Sequence, residues 1–167
     1  MDQFGNFSDE LVMWRRTVRV AMELHFTHRD VDRIRESLAR LKDLRECIIE
    51  SIVWHELEMA LAMELLYIWT DDGRISYTVN EAPRLLTLRF TLVNNLVLGN
   101  GLNAAMVEHP ERINWSISEI AKAELFEHRS EQRGPEFIGM RFIWEGDLRI
   151  EVAFRGLTIN LSGSSTG

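Results

Sequence analysis

Residues 86–100 read LTLRFTLVNNLVLGN, and residues 148–163 read LRIEVAFRGLTINLSG. In the first stretch Leu86, Leu88 and Phe90 alternate with Thr87 and Arg89; in the second Leu148, Ile150, Val152 and Phe154 alternate with Arg149, Glu151 and Ala153. A period of two marks a half-buried strand, because successive side chains leave opposite faces of the pleat. Each stretch then passes a break, Asn94-Asn95 or Arg155-Gly156, and turns apolar again at Leu96 and Leu98 or at Leu157, Ile159 and Leu161. In the second copy the apolar phase moves from even to odd positions, as a tight turn or bulge at Gly156 would produce. Both copies therefore read as hairpins. They stand too far apart for a solenoid repeat, which points to two related sheet units within one domain.

The chain between and around them is read from the same signals. Strands are expected at about 47–55, 59–69 and 74–79, the last two separated by the turn Asp71-Asp72-Gly73. Later, Phe137, Ile138, Met140, Phe142 and Trp144 run up to a second acidic turn, Glu145-Gly146-Asp147. Upstream, Val31, Ile34, Leu38, Leu41 and Leu44 form an apolar stripe at helical spacing, with Arg33, Glu36, Arg40 and Asp43 outside it. Before that, Ser8 can cap a helix whose face carries Leu11, Trp14, Val18, Met22 and His25, although Val18, Val20, Met22, Leu24 and Phe26 also alternate like a strand. The helix is preferred here. The expected fold class is α+β: N-terminal helices over 8–45, then an antiparallel β-rich sheet or sandwich with two similar hairpin units at about 47–100 and 113–163. Residues 1–163 form a single domain and 164–167 a flexible tail.

A chain of 167 residues with 46% hydrophobic and 27% charged residues can bury its own core. Cys47 is the single cysteine, so no internal disulfide forms, and no signal peptide opens the sequence. The longest apolar region, about 48–69, is broken by Glu50, His55, Glu56, Glu58 and Glu64, which excludes a membrane span and leaves a cytoplasmic protein as the expectation. The net charge of −7 is unevenly placed: residues 1–46 carry nine acids and nine bases, whereas 47–167 carry seventeen acids and ten bases. The interval 50–81 holds seven acids against one base, Arg74. Such a surface repels nucleic acid and attracts basic partners.

Motifs for chemistry are missing. His25 and His28 are three apart and His55 adjoins Glu56 and Glu58, but no H-E-x-x-H occurs and no cysteine pair backs them. No serine sits in a G-x-S-x-G elbow, and Cys47 lies in an apolar run. Gly99 and Gly101 bracket a turn without a phosphate-loop lysine. No enzyme, metal or cofactor is expected. Of the five tryptophans, Trp69 and Trp144 each end an expected strand just before an acidic turn, where an aromatic anchor beside carboxylates suits a protein interface. Trp69, Asp71, Asp72, Trp144, Glu145 and Asp147 are thus the candidate partner contacts.

The order of elements resembles the small immunity proteins of bacterial polymorphic toxin systems: helical material, units of the type LTLRF followed by NLVLGNG, then SISEIAKAEL, then DLRIEVAFRGLTI, over most of residues 44–163. The resemblance implies a non-catalytic protein that binds its cognate toxin and blocks it, and the acidic second part would suit a basic toxin domain. It transfers no functional residue, and the charged helix at about 30–44 has no counterpart in it. The alternative is an acidic chaperone or adaptor that holds a segment of a secreted effector by strand addition. AFRGLTINLSGSS is also similar to a strand of the tombusvirus silencing suppressors, which bind double-stranded RNA, but the excess of acids around Arg149 and Arg155 opposes an RNA partner.

Overall fold

The computed structural model describes residues 21–99, 105, 108–109, 119–128, 136–144 and 148–163. Among them the strands are β1 (Met22–Thr27), β2 (Ile48–His55), β3 (Ala60–Tyr67), β4 (Arg84–Thr91), β5 (Asn95–Gly99), β6 (Lys122–His128), β7 (Phe137–Ile143), β8 (Arg149–Phe154) and β9 (Gly156–Leu161), with the α-helix α1 (Val31–Arg40); Ala105 and Glu108 are also helical. They form two antiparallel sheets, one in the order β1-β9-β4-β3-β2 and the other in the order β5-β8-β7-β6. The protein is mainly β, and N-terminal helices followed by a sheet is not its plan.

The two quoted stretches are not hairpins. In each, the first arm lies in one sheet and the second arm in the other, so each is a single strand that bends across the corner between the sheets. The bent strands then pair with each other along both arms, from Leu86↔Leu161 to Thr91↔Gly156 and from Asn95↔Ala153 to Gly99↔Arg149. Four steps from Thr91 to Asn95 face three from Gly156 to Ala153, so the ribbon carries one extra residue at its corner. A bulge of this kind is how strands switch sheets. The ladder is held through the bend, with Arg155 N–H donating to Thr91 O at 3.2 Å and Asn94 N–H to Ala153 O at 2.8 Å. The similarity of the two stretches is accounted for by this pairing, since both run antiparallel to each other across one corner, although β5 is an exposed arm with no buried residue. The sheets consequently interleave the chain and do not divide into units at 47–100 and 113–163.

Gly156 lies opposite Thr91 at the corner of the two bent strands. A Cβ there would stand 2.3 Å from Thr91 Oγ1, while its other neighbours lie at ordinary contact distances. Gly156→Ala should therefore cost about 1–3 kcal/mol, and adding Thr91→Ala, which removes the offending hydroxyl, should recover most of it. A double-mutant cycle by urea unfolding checks this; purely additive effects would contradict the corner geometry.

The core lies between the sheets. The Phe90 ring stands edge-on to Phe142 of β7, with centroids 6.1 Å apart, and 4.9 Å from Phe154 of β8, and all three side chains are fully buried. The stripe read as a helix over Val31 to Leu44 does form one, α1 followed by a short 3₁₀ turn (Lys42–Leu44), with Ile34, Leu38, Leu41 and Leu44 buried. Asp30 fixes its start by accepting from Thr27 N–H at 2.8 Å and from Arg33 at 3.0 Å.

Upstream the helical expectation is corrected. Residues 22–27 form β1, because the edge of β9 offers Leu24 and Phe26 a register opposite Ile159 and Leu157. A helical face would have buried His25, which instead lies outside against Thr158 Oγ1 at 3.1 Å. The rest of that expected helix, including Ser8, Leu11, Trp14 and Val18, lies outside the described residues, as does the tail 164–167. The strand expected at 74–79 is also corrected: after a single bridge, Trp69↔Ile75, residues Ser76–Val79 make a 3₁₀ turn. No described helix is long and apolar enough to cross a membrane.

Candidate functional site

The turn after β3 holds three of the expected contacts. Trp69 is half-buried, and its indole N–H donates to Arg45 O at 2.8 Å while Lys42 Nζ sits 5.9 Å from its ring centroid. Asp71 pairs at 2.9 Å with Arg84, a buried guanidinium that also donates to Trp69 O at 3.3 Å and lies over the Tyr67 ring. Asp72 accepts from the Thr70 hydroxyl and from Arg74 Nε at 2.7 Å. Gly73 completes the turn at a φ of +79°, a conformation glycine adopts without penalty. Between this turn, the end of α1 and the β1 edge lies an open cleft of about 740 Å³, walled by Leu24, Arg40, Tyr67, Asp71 and Arg84. Its carboxylates serve the turn first, since each already has an arginine.

The Thr70 hydroxyl, with Arg74 second, holds the Asp72 carboxyl down from 3.8 to about 2. A folded-state value below the unfolded one means that this stabilisation is complete above roughly pH 4. It is lost as the pH falls through about 2. In an NMR titration the Asp72 carboxyl should show its midpoint at about 2, and Thr70→Val should return it toward 3.8. A wild-type midpoint at 3.8 would mean that the turn leaves Asp72 free.

The remaining expected contacts are not gathered there. Trp144 is buried at 4% exposure at the end of β7, packed in the core, and cannot act as a surface anchor. Glu145 and Asp147 lie outside the described residues. Among the described residues no cluster of His, Cys, Asp or Glu could hold a metal ion. Burial pushes the Cys47 thiol up to about 12, far from a reactive thiolate.

A different surface has the properties sought. The hairpin of β2 and β3 turns through a 3₁₀ step (Glu56–Glu58) and exposes Val53 and Trp54 on β2, Leu57 at its tip and Met59 beyond it. Trp54 is 44% exposed and Leu57 fully exposed. Val93 N–H donates to Met59 O at 2.9 Å, which brings the backbone beside exposed Leu92 against this turn. Trp54 lies opposite Leu61, which lies opposite Phe90, so the half-exposed indole ends a core-facing row on β2, the last described strand of its sheet.

Three glutamates share this hairpin with the exposed apolar residues, Glu50 on β2 and Glu56 and Glu58 in its 3₁₀ step. Glu58 is paired with Arg89, whereas exposed Glu50 and Glu56 form no ion pair among the described residues. The outside of the four-stranded sheet is arranged differently. There Glu124, Arg141 and Glu151 stand side by side across β6, β7 and β8, with Arg141 2.7 Å from Glu151 and Lys122 2.6 Å from Glu124. Those charges satisfy one another, whereas Glu50 and Glu56 meet no described cation within ion-pair distance.

Comparison with protein-family models, curated proteins and solved structures finds no match.

Trp54, Leu57, Val53 and Met59 were passed over in the sequence because Trp54 sits inside a strand and reads as core. The available signal was the run SIVWHELEM, in which strand alternation fails just where large apolar residues stand beside glutamates.

Proposed function

We propose that this protein is a non-enzymatic, protein-binding inhibitor of the immunity type, which neutralises a cognate toxin by covering it. The observation that carries the reading is the exposed Trp54 with the exposed Leu57 and Met59 of the turn that follows it, on a hairpin whose exposed Glu50 and Glu56 form no ion pair among the described residues. A central aromatic anchor with an apolar surround and a charged rim is the composition of a protein interface. The sign of the rim selects a basic partner and disfavours nucleic acid.

The test is capture from the source cell on immobilised protein, in parallel with a Glu50→Lys, Glu56→Lys variant. The expected result is one stoichiometric basic protein, released by salt and lost with the charge reversal. Equal capture by both would remove the acidic rim from the interface, and no partner at all would overturn the reading. The chaperone or adaptor alternative, to which the place of β2 as the last described strand of its sheet lends support, is separated by gene order: a toxin gene directly upstream supports inhibition, and an effector with its secretion apparatus supports the chaperone.

A further inference from the structure

Between α1 and β2 the backbone runs against its own chirality. Lys42, Asp43, Leu44 and Glu46 take φ of +57°, +51°, +56° and +60°. The turn Lys42–Leu44 therefore winds left-handed, closed by Leu44 N–H to Leu41 O at 3.0 Å and by Arg45 N–H to Lys42 O at 3.1 Å. In this region Cβ crowds the following carbonyl, so residues other than glycine enter it singly and seldom in succession. Such a run holds strain that the surrounding contacts must offset.

Those contacts come from three directions. Leu41, Leu44 and Cys47 are buried and anchor the turn from beneath. Glu46 N–H donates to Ile120 O at 2.7 Å and Ile120 N–H to Cys47 O at 2.9 Å, which fixes the exit toward β2. The middle is held by Trp69, whose indole N–H donates to Arg45 O at 2.8 Å while Lys42 Nζ lies over its ring. Lys42 also reaches Gly73, where a Cβ would meet its Nζ at 3.4 Å. Leu41 and Lys42 thus wall the open cleft together with Thr70 and Gly73.

We infer that residues 42–46 are a strained strap along the wall of this cleft, held left-handed by the seated Trp69 indole, and that unseating Trp69 lets the strap relax to negative φ and carries Lys42 away from Gly73. The strain sets the direction of the change, since each residue that leaves the left-handed region is relieved of its clash. One short segment with two arrangements is the material of a conformational switch. The strap is separate from the proposed partner surface, because Trp54 lies toward the far end of β2.

Cys47 is the sole thiol and is fully buried at the exit of the strap, so its reaction with an aromatic disulfide reagent in native buffer reports opening. Wild-type labelling should be nearly independent of urea below the unfolding transition, the mark of a local opening. Trp69→Phe keeps a ring and deletes the donor, and should speed labelling roughly tenfold or more. Asp43→Gly puts in the residue that accepts positive φ without a clash, and should slow labelling about threefold or more in either background. Labelling that rises with urea along the full slope of global unfolding would overturn the strap, because Cys47 would then react only from the unfolded chain. An unchanged rate in Trp69→Phe would remove the indole as its holder, and an unchanged or faster rate in Asp43→Gly would remove the strain; either result overturns the inference.

Discussion

Phe90→Ala should lower the stability of the folded chain by about 3–5 kcal/mol, the cost of removing a large ring from a core that cannot collapse around the gap. Phe90 occupies the point at which the two sheets meet. It belongs to β4, and its ring touches Phe142 of β7 and Phe154 of β8 across the core, with no exposure to solvent. Deleting it removes contacts on both sides of the corner, and neither partner can move to fill the space because each is fixed by its own strand pairing. Urea unfolding should show the midpoint falling with an unchanged slope. Thr87→Ala, on the opposite face of the same strand, should change stability by less than about 1 kcal/mol. Near-equal effects of the two substitutions would contradict the face assignment of β4.

The second large effect concerns binding. Trp54→Ala should weaken the complex with the captured partner by about 2 kcal/mol or more, roughly thirtyfold, and mainly by faster dissociation. The indole has a core residue behind it and solvent in front of it, so a partner can desolvate it fully at little cost in ordering. Glu56→Lys should act differently, slowing association and flattening its dependence on salt, because a rim charge steers encounter more than it holds the complex. Surface plasmon resonance with both variants separates these contributions. A Trp54→Ala variant that binds like wild type would place the contact elsewhere.

How far the sequence carried this account depended on whether a signal was local. The apolar stripe from Val31 to Leu44 is a period within one element, and α1 forms on it. The strands near 47–55 and 59–69 likewise follow from their own alternation. The phase change at Gly156 was visible, but whether it marks a hairpin or a corner depends on which strands lie alongside, and those are distant in the chain. Met22 to Thr27 carried both helical and strand periods; the choice was made by the edge of β9, over a hundred residues away. At the candidate site, Asp71 and Asp72 were correctly placed in a turn, but the arginines that engage them are a matter of packing, as is the burial of Trp144. Trp54 was hidden for the same reason, since exposure at the last strand of a sheet is decided by strand order.

The most direct test of the central claim is growth of bacteria expressing the captured partner, alone, with the wild-type protein, and with its Trp54→Ala variant at matched levels. The account predicts that the partner alone arrests growth, that the wild-type protein restores it, and that Trp54→Ala does not. A harmless partner, or restoration by the variant equal to wild type, would contradict inhibition through the β2 surface.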